Sequence, residues 1–377
     1  MSPKLLRLLI LIPVALIALF EIVCWLFMPF PVEPLRQLTL NNDIPGFKKD
    51  VKLIFGNEQV RYLDWTPGDK PEGSVRVLCV GGWSTLGMLQ AAQDTWWGQL
   101  HTHLEKSGLK VEMAARGFER AGIVAMAAAS APLIERLKPD VIILNTGFDD
   151  VIVHPATFTY DASRSQKIPE PVKESGLKAF LTKYSQTVRF KRWWSKDTEA
   201  KKMQNELGRK DVYKKFFDEK RELISKLPRH EGILRTAGSN DPLPEYKDGL
   251  ALFRDLSAKA GATLVLTGEA CLHDSVINFT QENSLLAYIA LTEPTADGNV
   301  SAARPDPAWV MNEMSRFTNA AESFATENKL TWFNLNGQVE RSADNFFSDV
   351  LLTDAGAASA GKLLAPVIEP VVRAKAK

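Results

Sequence analysis

Beyond residue 73 the chain alternates short apolar runs with longer amphipathic stretches. Val75-Arg-Val-Leu-Cys-Val80 has strand length and ends in Gly81-Gly82, and Thr95 to Lys106 repeats apolar positions at helical spacing up to Gly108. Lys110 to Ala115 predicts a second strand and the Ala-rich stretch Ile123 to Leu137 a second helix. After the turn Lys138-Pro139-Asp140, Val141-Ile-Ile-Leu144 predicts a third strand. Much later, Tyr246 to Ala260 reads as a helix ended by Gly261, and Thr263-Leu-Val-Leu-Thr267 as a fourth strand. Pro307 to Asn328, Thr331 to Leu335 and Ala355 to Lys375 complete the pattern as helix, strand and helix. Continuous apolar strands alternating with helices predict a parallel sheet covered on both faces. The expected fold is a three-layer α/β/α, flavodoxin-like domain with five parallel strands ordered 2-1-3-4-5, its functional loops at the strands' carboxyl ends.

Two regions break this rhythm. Leu8 to Met28 is nearly continuous apolar sequence behind Lys4 and Arg7. At 1.5 Å per residue it reaches about 30 Å, the hydrocarbon thickness of a bilayer. No small-x-small cleavage site follows it, so residues 1–29 are expected to be a transmembrane signal anchor rather than a cleaved leader. The basic flank places the rest of the chain outside the inner membrane, in the periplasm. Residues 30–72 form a lead-in, and 73–375 the α/β domain. The second break, about 155–245, supplies no clear strand and is expected to be a helical cap. Its middle, Arg189 to Lys215, holds ten Lys/Arg against four Asp/Glu, with Trp193-Trp194 beside them. That mixture suits a solvated cap or a segment resting on anionic headgroups.

Composition narrows the partners. Lys+Arg 46 against Asp+Glu 45 leaves +1, so no global field draws the chain to nucleic acid. Three cysteines, Cys24, Cys79 and Cys271, are too few and too scattered for a disulfide scaffold or a zinc module, and read as buried thiols. No cofactor is expected: Gly81-Gly82 is too short for a dinucleotide fingerprint. No metal is expected either. His101 and His103 are spaced i, i+2 and do not face each other on a helix, and Asp149-Asp150 lacks an evident third ligand. Asp150 reads as a cap for the segment that follows it.

Three loops carry a resemblance. Gly81-Gly-Trp-Ser-Thr-Leu-Gly87 follows the first strand, Gly147-Phe-Asp-Asp150 the third, and Phe346-Phe-Ser-Asp-Val-Leu-Leu-Thr353 precedes the last helix. In that order they resemble the blocks of the SGNH/GDSL hydrolase superfamily, and Asn57-Glu-Gln-Val-Arg61 is similar to a lead-in of its membrane-anchored members. The similarity spans about residues 40 to 372. It implies a serine nucleophile in the first block, an oxyanion glycine in the second, an asparagine donor in the third and an Asp-x-x-His pair in the last.

Against that pattern this chain departs at four roles. The nucleophile's place is Trp83, with Ser84 one residue late; the asparagine's place is Asp149; the Asp-x-x-His places are Ser348 and Leu351. The oxyanion glycine is Gly117, in Ala115-Arg116-Gly117, or Gly122. The five histidines are His101, His103, His154, His230 and His273, so no imidazole lies beyond residue 273. A serine needs a base and the base an orienting acid, whereas Trp and Leu supply neither. The vestigial cleft is therefore Gly82, Trp83, Ser84, Gly117, Gly147, Asp149, Asp150, Ser348 and Leu351. The leading expectation is a degenerate (pseudo-)esterase at the envelope that binds a glycan, an acyl ester or a protein partner. The alternative is an active esterase or acyltransferase on a carbohydrate or lipid ester, using Ser84 or Cys271 with His273 in a rearranged site. In that case the loop Gly268-Glu-Ala-Cys-Leu-His-Asp274 would supply Glu269, Cys271 and His273.

Overall fold

A computed structural model of the chain describes residues 60–65, 70–87, 89–118, 121–153, 220–230, 241–287, 289–290 and 302–376, with Leu19, Phe20, Ser185 and Asp218. Leu8–Met28 apart from Leu19 and Phe20, most of the 155–245 excursion, Cys24, His154 and the whole basic run Arg189–Lys215 lie outside the described residues. No described helix is long and apolar enough to cross a membrane.

The main sheet has six strands: β1 (Val60–Leu63), β2 (Ser74–Gly81), β3 (Lys110–Gly117), β4 (Val141–Thr146), β6 (Thr263–Gly268) and β9 (Thr331–Asn334). Their spatial order is β1-β3-β2-β4-β6-β9. The five parallel strands thus run 2-1-3-4-5, as expected, and β1 pairs antiparallel to β3 at the edge. This sixth strand comes from the stretch read as a lead-in, so the sheet begins before residue 73. Three short strands, β5 (Arg229–His230), β7 (Ile289–Ala290) and β8 (Ala302–Pro305), form a second, small sheet.

Alternation along β2 sends side chains to both faces. Val75, Val77 and Cys79 pack with Trp96, Trp97, Leu100 and Leu104 of α2 (Trp96–Lys106) and with Ala357, Ala360 and Leu364 of α8 (Asp354–Lys375). Leu78 and Val80 face the other layer, made by α3 (Ile123–Leu137), α5 (Leu243–Ala260) and α7 (Pro307–Glu327). Both faces of the sheet are therefore buried, which is why its strands read as unbroken apolar runs. Local signals set the helix ends: the Thr95 hydroxyl accepts from Gly98 N, Asp306 from Ala308 N and Trp309 N, and Gly261 ends α5 in the left-handed region at φ 71°.

The register brings Gly81 beside Gly117 on one side and Asn145 on the other, at the carboxyl ends of three strands. These glycines are sterically required. A Cβ on Gly117 would lie 2.2 Å from Leu86 N, and one on Gly81 would lie 2.4 Å from the Asn145 carbonyl oxygen. The first loop can fold back across the strand ends only because both side chains are missing.

Candidate functional site

The loop after β2 folds into a single helical turn, α1 (Trp83–Leu86), closed by Gly87 at φ 58°. The edge strand holds it from outside. Arg61, 3% exposed, donates through Nη1 to the Leu86 and Gly87 carbonyls, both at 2.9 Å, and through Nη2 to the Gln90 carbonyl at 2.7 Å. Trp97 Nε1 donates to the Thr85 carbonyl at 3.0 Å, tying the turn to α2 as well.

Within that frame Ser84 is buried, at 4% exposure, and its hydroxyl is committed on both sides. It donates to Glu269 Oε1 at 2.5 Å and accepts from Asn145 Nδ2 at 2.9 Å. Asn145 is oriented in turn by Thr267, whose hydroxyl donates to Asn145 Oδ1 at 3.1 Å. Phe148 N, the first residue of α4 (Phe148–Val153), donates to Glu269 Oε2 at 3.3 Å. The network therefore runs from β6 through β4 to the first loop and on to the loop after β6. Burial pushes the Glu269 carboxyl up to about 7, against the hydrogen bonds from Ser84 and Phe148, which favour its ionised form.

The expected nucleophile position is occupied differently. Trp83 is 7% exposed and sits in the apolar cluster with Leu86, Phe118 and Phe148. Lys220, on the helical stretch 220–225 and only 1% exposed, places Nζ 4.1 Å from the Trp83 ring centroid. A cation over an indole face is an attractive contact, strengthened by exclusion of water. Trp83 and Lys220 together fill the position that the sequence resemblance assigns to a serine nucleophile.

Ser348 and Leu351, the Asp-x-x-His positions, are buried at 0% and 2%. Leu351 packs in the same cluster as Trp83, and its carbonyl accepts from Phe347 N at 2.7 Å. A buried imidazole–carboxylate pair forms here in another way: Asp349 is one residue past Ser348, and its imidazole, His273, comes from the loop after β6. His273 Nε2 lies 2.7 Å from Asp349 Oδ1, and Asp349 also accepts from Leu286 N at 2.6 Å and Ala287 N at 3.2 Å. Sequence reasoning missed this pair because the two residues lie 76 positions apart and Asp349 has no role in the family's register. His273 reaches neither of the candidate nucleophiles: its ring's hydrogen bond runs to Asp349.

The remaining candidates are placed as follows. Asp149 is 2% exposed and lines the loop after β2: a Cβ on Gly82 would lie 2.5 Å from Asp149 Oδ2. Asp150 does not cap the segment after it. Its Oδ1 accepts from Ile123 N at 2.8 Å, so it serves the start of α3, while Oδ2 accepts from Thr146 at 3.2 Å. Burial outweighs those bonds and pushes its carboxyl up to about 7. Gly117 serves close packing against Leu86, Gly147 adopts φ 137° ahead of α4, and Gly122 precedes α3 as its cap residue. Cys79 and Cys271 are buried, and burial pushes both thiols up, away from the thiolate a nucleophile needs.

His101 is buried rather than on the surface, between Asp64 and Glu105, and the three groups offer ligand atoms within 4.8 Å of one another. They do not converge on one lone pair. His101 Nε2 lies 2.9 Å from the Val111 carbonyl and 3.4 Å from Asp64, while Glu105 sits 3.5 Å from Nδ1, on the other ring nitrogen. That is the arrangement of a histidine clamped between strand and helix by two acids.

No family model matches the chain, and no curated protein matches its sequence. Solved structures that superpose on it include a Clostridium thermocellum family 3 carbohydrate esterase, at 10% identity and a TM-score of 0.40, covering 81% of this chain and 100% of that one. A carbohydrate acetylesterase family member from Sinorhizobium meliloti superposes at 12% identity and 0.38, covering 79% and 99%, and TesA at 10% and 0.37, covering 78% and 99%. These overlays are loose, so the site's chemistry rests on its own geometry. The 2-1-3-4-5 order of parallel strands gives this chain a flavodoxin-like α/β/α fold, with the glycine-lined turn after the first strand and the Gly-x-Asp-Asp block after the third at the same carboxyl edge of the sheet.

Proposed function

We propose that this chain is a degenerate SGNH-like protein, held at the inner membrane by residues 1–29 with its α/β domain in the periplasm, that binds or scaffolds rather than hydrolyses. The observation that carries this reading is the commitment of Ser84. Its hydroxyl proton goes to Glu269, one lone pair takes the Asn145 N–H, and the residue is enclosed at 4% exposure. Attack on an ester needs a hydroxyl that an acyl carbon can approach to about 3 Å and an oxyanion site lined by donors. The Asn145 amide beside Ser84 is already spent on Ser84 Oγ, and the carboxyl groups of Asp149 and Glu269 border the turn at Gly82 in place of the fixed donors an oxyanion needs. The neighbouring seat is filled by Trp83 and Lys220.

A second reading is favoured by one observation, the 2.5 Å contact between Ser84 and a carboxyl held up to about 7. In that reading Glu269 is the general base of a Ser–Glu pair acting on a carbohydrate or lipid ester. Intact-mass analysis after incubation with a serine-directed fluorophosphonate separates the two. The degenerate reading expects no adduct. A single adduct mapped to Ser84 and lost in Glu269→Gln establishes the second reading instead.

A further inference from the structure

The described cavity beside His273 is not part of the Ser84 network. It is a recess of about 20 Å³, open towards solvent, bounded by His273, Arg229, Arg304 and Glu282 with apolar walls such as Leu285 and Pro305. That is room for one oxygen-sized group.

Two groups at this recess have unused capacity. His273 is 1% exposed, and its Nδ1 is buried without a hydrogen-bond partner. The other side of the ring is fixed, because Asp349 already accepts two backbone N–H groups and takes the Nε2–H as a third donor. Nδ1 is therefore the ring's single free valence, on a residue that lines the recess. The second group is Arg304. Its Nε donates to the Leu227 carbonyl at 3.3 Å, and it has no carboxylate partner among the described residues. Arg229 differs, since Glu282 at 3.3 Å and Asp306 at 3.5 Å balance its charge.

We infer that this recess is an oxyanion-binding site, in which His273 and Arg304 hold one carboxylate or phosphate oxygen of a ligand whose remainder lies against the apolar rim. With the ring protonated, Nδ1–H donates to the oxyanion and Nε2–H stays on Asp349. Arg304 supplies the second charge-assisted donor. Asp349 is a positioning residue here, since it orients the imidazole without touching the ligand. The site does not depend on whether Ser84 is inert, because the Ser84–Asn145–Glu269 network does not line it.

Isothermal titration of the full-length chain with sodium phosphate and, separately, sodium acetate at constant ionic strength tests the site. Saturable 1:1 binding of at least one probe is expected. Phosphate alone marks a phosphate-bearing ligand, and acetate alone a carboxylate. Arg304→Gln and His273→Gln should each weaken that binding by about tenfold or more, the scale of a lost charge-assisted hydrogen bond. Arg316→Gln, which removes a charge paired with Asp241 and Glu313, should leave it unchanged. If buried His273→Gln fails to fold, Arg304→Gln decides. Absence of saturation with both probes, or binding unaltered by Arg304→Gln, overturns the proposal.

Discussion

The Ser84 hydroxyl lies 2.5 Å from Glu269 Oε1, and Asn145, at the carboxyl end of the neighbouring strand β4, donates through Nδ2 to Ser84 Oγ at 2.9 Å. Two residues 185 positions apart thereby close the carboxyl-terminal edge of the sheet around a buried acid. The consequence for stability has a definite sign. Glu269 and Asp150 keep their protons in the folded chain up to about pH 7, whereas the ordinary values are 4.5 and 3.8. Between those limits the folded state binds more protons than the unfolded state, so stability falls as pH rises.

Urea denaturation at pH 5 and pH 8 should show the chain more stable at pH 5, by on the order of 2–4 kcal/mol for each of the two groups. Glu269→Gln should remove its share of that slope. A stability that rises from pH 5 to pH 8 contradicts burial as the dominant influence on these carboxyls.

Arg61 reaches from the edge strand to three carbonyls of the first loop. Arg61→Met keeps much of the apolar stem and deletes those donors, and should destabilise the chain by about 2–4 kcal/mol. Hydrogen exchange should quicken in residues 84–90 ahead of the rest of the sheet. Uniform loosening of the whole domain would mean that Arg61 does not hold this loop.

Gly117→Ala should be among the costlier single-methyl changes. Its Cβ would meet the backbone of Leu86 at 2.2 Å from N and 2.3 Å from Cα, and backbone cannot swing aside as a side chain can. A loss of roughly 2–4 kcal/mol in denaturant midpoint measurements is expected. Gly108→Ala, where nothing lies within 4 Å but φ is 78°, should cost about 1 kcal/mol.

How much of this was legible follows from where each residue's partners lie in sequence. The five parallel strands and the helices between them were readable because strands buried on both faces show as unbroken apolar runs. β1 was not, since its Val-Arg-Tyr-Leu carries Arg61 inward to the first loop, and a buried arginine looks like a polar lead-in. The misfit of Trp83, Ser348 and Leu351 to their expected roles was readable from register alone. The Ser84–Glu269 and His273–Asp349 contacts were not, because loops from different strand ends meet there and neither member of a pair signals the other locally.

Trp83→Ser should remove a buried indole and its contact with Lys220, costing about 3–5 kcal/mol, and should give no esterase activity. No base stands in register with position 83, and groups that act as a unit do not return one at a time. Adding Ser348→Asp and Leu351→His to Trp83→Ser should give weak turnover of an activated ester, which Leu351→His alone should not. Activity in the Trp83→Ser single variant would show that a base already serves that position.

The inertness of Ser84 is tested most directly by steady-state hydrolysis of 4-nitrophenyl acetate by the purified full-length chain, compared with its Ser84→Ala variant. The committed hydroxyl and the filled seat beside it predict equal rates for the two proteins, indistinguishable from buffer. Turnover well above buffer in the unaltered chain, abolished by Ser84→Ala and untouched by changes at Trp83, would contradict that account and make this chain an esterase with Ser84 as its nucleophile.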